Sequence, residues 1–302
     1  MENQKDFILI AGGSGLIGNR LKKIFVENEY RVGILTRTPQ EKYHYKWDPK
    51  LEIIDKEILR DVTVLINLSG AGIADKRWTK DRKEELYSSR IGTNKFLYTQ
   101  CQHMPKLKQF ITASGINCYG YDDPNRKHLE SDSFGQDFLS DLVKKWEESA
   151  DLFDEKYIVS KIRTSVVLDE NGGALQKMIT PIQWGMGSAL GTGKQEMPWI
   201  HADDLAYIYL HVVSHQLGGA YNALAGSVTN EFFTKTLAST LHKPYFFPKI
   251  PSIAMKMIFG DMASVLLEGL QASNQKIKDT GFLFKYEKLE NALMQLLTSR
   301  SN

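Results

Sequence analysis

Residues 7–18 read Phe-Ile-Leu-Ile-Ala-Gly-Gly-Ser-Gly-Leu-Ile-Gly: a short apolar run, a glycine-rich turn, and the start of a helical pattern. The turn satisfies both G-x-G-x-x-G and G-x-x-G-x-x-G, directly after a candidate strand and directly before a candidate helix. In that context Gly12 allows the tight turn and Gly15 lets backbone approach a pyrophosphate. Gly18 lets the helix pack close to the strand. The pyrophosphate then rests on free N–H groups at the positive end of the helix dipole, so Gly12, Ser14, Gly15, Leu16, Ile17 and Gly18 form the expected phosphate loop. A Rossmann-type dinucleotide domain follows from this stretch.

Outward from the loop, short β-branched runs alternate with helical patterns, the mark of βαβ units and a parallel sheet. Candidate strands are residues 7–11, 31–36, 63–68, 109–114 and 157–163. Helical stretches lie between them, including residues 19–27, where Leu21, Ile24 and Phe25 share a face, and residues 81–103. The fold class expected is α/β, a doubly wound parallel sheet with a smaller, mainly helical C-terminal domain. Residues 1–167 with about 201–225 are expected to form the dinucleotide-binding Rossmann domain, and about 168–200 with 226–302 the substrate-side C-terminal domain. Glycine-rich segments after Arg163 read as functional loops. The apolar stretch Ile253 to Leu270, interrupted by Lys256, Asp261 and Glu268, reads as an amphipathic helix packed on a core, not as a membrane span.

The second strand ends in Thr36 and Arg37, where an NAD-preferring site places an acid for the ribose 2′-hydroxyl. A guanidinium at that point bonds a 2′-phosphate, which favours NADP(H) over NAD(H); the bland alternative is that Arg37 is a solvated loop residue.

Composition sets the frame. With 302 residues, 42% apolar and 25% charged, the chain can bury a large core or two modest ones and is neither disordered nor fibrous. Thirty-eight basic against thirty-six acidic residues leave a net charge of +2, too small a field to suit nucleic acid or an anionic membrane. Cys101 and Cys118 make neither a disulfide framework nor a redox or zinc motif. The first apolar run is too short for a signal peptide, so a cytoplasmic protein is expected. The expected partner is an unidentified small-molecule substrate, with no nucleic acid and no membrane; homodimerisation stays open.

Further segments carry a family resemblance. The Gly loop, TRTP at 36–39 and NLSG at 67–70 resemble the extended short-chain dehydrogenase/reductases. KRWT at 76–79, SSRIGT at 88–93, KKWE at 144–147, GGAL at 172–175 and MPWIHADDL at 197–205 resemble its atypical, epimerase-like subfamily. Residues 229–297 resemble that subfamily's C-terminal domain of unassigned function. The resemblance implies an oxidoreductase or epimerase acting with NADP(H), and cofactor contacts from Thr36, Arg37, Leu68, Ser69, Glu85, Arg90 and Val167. Residues at the carboxyl ends of parallel strands do line the dinucleotide crevice. Glu85 is the least intuitive contact, because a carboxylate repels phosphates unless it binds a hydroxyl or an Arg.

The wider superfamily uses a Ser or Thr after the fourth strand, with a Tyr general acid/base tuned by a Lys four residues later. Ser114 fits the first role. The family spacing puts Leu139 and Val143 where the Tyr and Lys belong, and neither moves a proton. Tyr119 is the candidate replacement acid, or equally a wall of the pocket, and Lys144 or Lys145 the candidate cation. Two functions therefore stand open: a reductase or epimerase on a small carbonyl or sugar-like substrate, and a non-catalytic NADP(H)-binding sensor acting through its C-terminal domain. His211 and His215, four apart, read as structural or surface histidines, and no metal is expected. Trp199, Ile200, His201, Asp203 and Asp204 form either a pocket lining or a packed helix start with an Asp cap. Lys194 reads as a loop lysine or an anion contact.

Overall fold

A computed structural model describes residues 6–121, 123 and 126–298. The strands are β1 (Phe7–Ala11), β2 (Arg31–Thr36), β3 (His44–Asp48), β4 (Ile53–Ile54), β5 (Val64–Asn67), β6 (Gln109–Gly115) and β7 (Lys127–His128). They continue with β8 (Ile158–Thr164), β9 (Val166–Asp169), β10 (Glu196–His201), β11 (Gly219–Ala223), β12 (Gly226–Thr229) and β13 (Gln271–Ala272). The helices are α1 (Leu16–Glu27), α2 (Lys80–Tyr87), α3 (Thr93–Gln100), α4 (Phe138–Ala150), α5 (Gly173–Gln183) and α6 (Ala202–Ser214). After them come α7 (Asn230–Thr240), α8 (Ser252–Phe259), α9 (Ser264–Leu267), α10 (Gln275–Asp279) and α11 (Leu289–Thr298).

The main sheet has eight strands in the order β11-β8-β6-β5-β1-β2-β3-β4, parallel except for β4 at the edge. This is the doubly wound α/β arrangement expected. The pleat of β1 shows why both faces must be covered. Ile8 and Ile10 point into a core with Leu21 and Phe25 of α1 and Leu205, Ile208 and Val212 of α6. Phe7, Leu9 and Ala11 point into the opposite core with Leu97 of α3 and Phe153. Each such side chain taken from water contributes about 1.5–3 kcal/mol, which is why a strand apolar at every position belongs at the sheet centre.

The second body is mainly helical and has a small sheet of its own, β12-β10-β9. Helices α5, α7 and α11 pack there around Trp199, Phe233, Leu237 and Leu293.

The helical stretch expected over 81–103 is present without a break, but it changes type: α2 passes into a π-helical turn at Ser88–Gly92 before α3 resumes. One expectation needs correction. The stretch Ile253 to Leu270 breaks at Gly260, whose φ of 60° is left-handed. In α8 only Met255 is buried, so packing on a core fails for most of that helix.

Candidate cofactor cleft and the position of the catalytic pair

The carboxyl ends of β1, β2 and β5 open into a cleft of about 1300 Å³. Gly12, Ser14 and Gly15 line it from the first turn, Thr36 and Arg37 from the end of β2, and Leu68 and Ser69 from the end of β5. Glu85 of α2 also reaches the wall. Gly12 has φ 75°, and a Cβ there would stand 3.0 Å from the backbone of Leu68 and Ser69, so only glycine lets the two turns meet. A Cβ on Gly18 would stand 2.4 Å from the Cα of Gly13. The close neighbour is thus the turn itself, not the strand. Gly15 caps α1, whose first turn carries no acid, leaving the positive helix end free for an anion.

Other expected contacts lie behind the wall. Leu16 faces Gly172 and Gly173, and Ile17 packs on the first core. Val167 pairs with Ile200 in the small sheet and packs against the same core. Arg90, 5% exposed, sits in the π turn beneath Gly70. Its Nη2 donates to the Ala71 carbonyl at 2.9 Å and its Nη1 to that of Leu86 at 3.2 Å. No described carboxylate lies within ion-pair distance, its Nε has no partner, and burial with Arg82 nearby pulls the guanidinium down to about 10. The puzzle of Glu85 resolves locally: Arg82 donates to it at 2.5 Å, and that bond holds the carboxyl below its ordinary value.

Sequence reasoning missed part of this cleft. The end of β3 brings Trp47 and Asp48 to the wall, the turn after it Lys50, and α3 brings Lys95 and Phe96. Beneath Ser69, the Asn67 side chain accepts the Ser69 N–H at 2.9 Å and donates to Asn94 at 2.7 Å. Asn67 belongs to the NLSG segment, the one available signal. Arg20 was missed entirely; it ties α1 to the end of β9 and to α6 through Asp169 at 2.8 Å, Glu170 at 2.9 Å, and Asp203.

The cradle fits a dinucleotide on its own evidence. The Ser69 hydroxyl and the Arg90 Nε are buried donors with no partner, and unpaired buried donors are costly unless something meets them.

The catalytic position is built differently. Ser114 donates to Glu147 at 2.5 Å. Glu147 in turn holds Arg163 in a two-pronged ion pair, both prongs 2.8 Å. Arg163 donates to the Tyr119 hydroxyl at 3.0 Å, and that hydroxyl donates to Asn222 at 2.7 Å. Tyr119 stacks on His128 with ring centroids 4.8 Å apart, and burial pushes its phenol well above the ordinary value. Ser114 and Tyr119 are therefore brought into one closed network, and neither lines the cleft. Leu139 and Val143 are each 1% exposed. Leu139 lies among Trp78, Leu86 and Met262, and Val143 among Ile116, Leu224 and Leu270. Lys144 and Lys145 do not turn inward; they pair with Glu148 and Asp141 on the exposed side of α4.

The remaining candidates settle as packing. Trp199 is buried, and the cap of α6 is His201, which accepts the Asp203 N–H at 3.0 Å, not an aspartate. Asp204 accepts the N–H groups of Lys285 and Tyr286 at 2.9 and 3.0 Å. His211 bonds Thr280, His215 bonds the His211 carbonyl, and Lys194 is an exposed loop residue.

The fold is that of the extended short-chain dehydrogenase/reductase class. A family model described as the NAD dependent epimerase/dehydratase family matches residues 8–138, and a domain of unknown function, DUF1731, matches 250–296. An epimerase family protein of Staphylococcus saprophyticus is 32% identical over 306 residues, spanning 96% of this chain and 98% of its own. The chain belongs to the epimerase family, in its atypical extended branch. A human epimerase family protein, whose crystal structure contains NADPH, superimposes with TM-score 0.89 at 29% identity, over 97% of this chain and 99% of its own. The UDP-N-acetylglucosamine 4-epimerase of Bacillus cereus shares the fold, with TM-score 0.81 at 15% identity over 99% and 100% of the two chains.

Proposed function

We propose that this protein binds NADP(H) in preference to NAD(H). The carrying observation is Arg37 on the cleft wall at the end of β2, where an NAD site needs a carboxylate. The NADPH in the human relative's crystal structure supports the same reading. Gly12, Ser14, Gly15 and Ser69 hold the pyrophosphate, with Arg90 supplying positive charge from beneath Gly70, and Thr36 and Arg37 take the 2′-phosphate. When bound, the cofactor supplies hydride transfer. The substrate class this favours is a small carbonyl or sugar-like compound, as in an NADP-dependent reductase or epimerase.

Titration with NADPH and NADH, alongside Arg37→Glu, tests the reading. The variant should weaken NADPH at least tenfold, about 1.5–3 kcal/mol for lost charge-assisted bonds, and leave NADH nearly unchanged. Equal affinity of the native chain for both nucleotides sinks the preference, and binding of neither sinks the cradle.

A second reading has its own observation. The hydroxyls of Ser114 and Tyr119 are committed inside a buried ionic network, and Leu139 and Val143 are apolar, so no described side chain at this position stands free to move a proton. This favours an NADP(H)-binding sensor without turnover. Cofactor-dependent turnover on any member of a carbonyl and nucleotide-sugar panel would refute it.

A further inference from the structure

On the helical body, away from the cofactor cleft, residues 184–191 run alongside 244–252. Ile250 N–H donates to the Ala189 carbonyl at 2.9 Å, and Gly191 N–H to the Ile250 carbonyl at 2.8 Å. The Ser188 hydroxyl donates to Pro248 at 2.5 Å. Helix α8 follows directly. This pairing gathers apolar side chains that no described residue covers: Trp184 is 76% exposed, Phe246 71%, Ile253 72% and Met257 69%, with Phe247 and Ile258 also exposed. The rings of Phe246 and Phe247 stack at 5.0 Å. So many large apolar side chains exposed on two paired segments and the helix that follows them are more than ordinary scattered exposure and mark an interaction surface.

The charge pattern says what covers it. Residues 232–260 contain Lys235, Lys243, Lys249 and Lys256 and no aspartate or glutamate; residues 171–195 contain Lys177 and Lys194 and again no acid. Lys249 and Lys235 are partly neutralised by Glu231 and Lys177 by Asp75, whereas Lys243 and Lys256 have no described carboxylate within ion-pair distance. An apolar face of Trp, Phe, Ile and Met rimmed by lysines that outnumber the carboxylates beside them matches the boundary between anionic headgroups and acyl chains. A second copy fits worse, because a two-fold contact sets lysine against lysine.

We propose that this face docks the protein on an anionic phospholipid surface. The contact is peripheral: no described helix is long and apolar enough to cross a membrane. The proposal departs from the expectation of no membrane partner, which rested on net charge and on the lack of a spanning segment among the candidate helices. Net charge averages over the molecule, whereas docking answers to one face.

The test is sedimentation of the full chain with vesicles of phosphatidylcholine alone and of phosphatidylcholine containing about one-third phosphatidylglycerol. The native chain should bind only the anionic vesicles, and binding should fall with salt. Lys243→Glu with Lys256→Glu, and separately Trp184→Ser with Phe246→Ser, should each lower partitioning on the order of tenfold. Both pairs are exposed, so the melting temperature and NADPH titration should stay at native values. Absence of binding to anionic vesicles overturns the proposal, as does binding that survives both double variants. Mass doubling without vesicles, abolished by Trp184→Ser with Phe246→Ser, also overturns it and assigns the face to a second copy.

Discussion

The cofactor cradle and the catalytic position are neighbours at the carboxyl end of the same sheet, and their hydrogen-bond ledgers are opposite. Around the cradle, Ser69 and Arg90 keep buried donors without partners, and the helix end at Gly15 faces open space. Around Ser114, the carboxylate, guanidinium, phenol and amide of Glu147, Arg163, Tyr119 and Asn222 satisfy one another. Unmet donors beside the cleft favour the cofactor role proposed for the first region, whereas the mutually satisfied groups around Ser114 favour a structural role for the second.

The sharpest way to break this contrast is Glu147→Leu. It leaves the Arg163 guanidinium, 4% exposed, without its counter-charge and should cost about 3–5 kcal/mol in urea unfolding. NADPH affinity of the folded fraction should be unchanged. A loss under about 1 kcal/mol would show that the network is not structural. Gly18→Ala probes the other side: a Cβ pressed on Gly13 should cost about 2–3 kcal/mol and also weaken NADPH binding, because it wedges α1 from the turn. Loss of stability with unaltered affinity would detach the helix end from the binding site.

Smaller effects refine the picture. Tyr119→Phe removes a donor from Asn222 and an acceptor from Arg163, costing about 1–2 kcal/mol by the same unfolding assay. Lost turnover at native stability would instead make Tyr119 an acid. The smallest effect concerns His201, which is buried, stacks on Tyr286 and bonds Gln295. Burial depresses its pKa despite Gln295, Asp203 and Asp204, so the folded state resists the proton that the unfolded chain accepts. Stability from this group is therefore present above its unfolded pKa, about 6.5, and lost as pH falls toward the lower folded value. His201→Asn keeps a capping side chain and should flatten that part of the melting temperature profile between pH 7 and 5; an unchanged slope would remove His201 as its cause.

The strands β1, β2, β5, β6 and β8, the Gly loop and the absent Tyr/Lys pair were legible in the sequence. Each rests on local chemistry: a run of β-branched residues, a turn only glycine can make, a leucine where a phenol is needed. Arg37 was legible because it follows its strand directly. What tertiary structure alone decided were meetings between residues far apart in the chain. Nothing local joins Glu147 to Arg163, Arg20 to Asp203, or Ser188 to Pro248, and nothing local tells a committed hydroxyl from a free one. The backbone's local preferences reach a few residues, whereas partner satisfaction and solvent exposure depend on which surfaces the fold brings together.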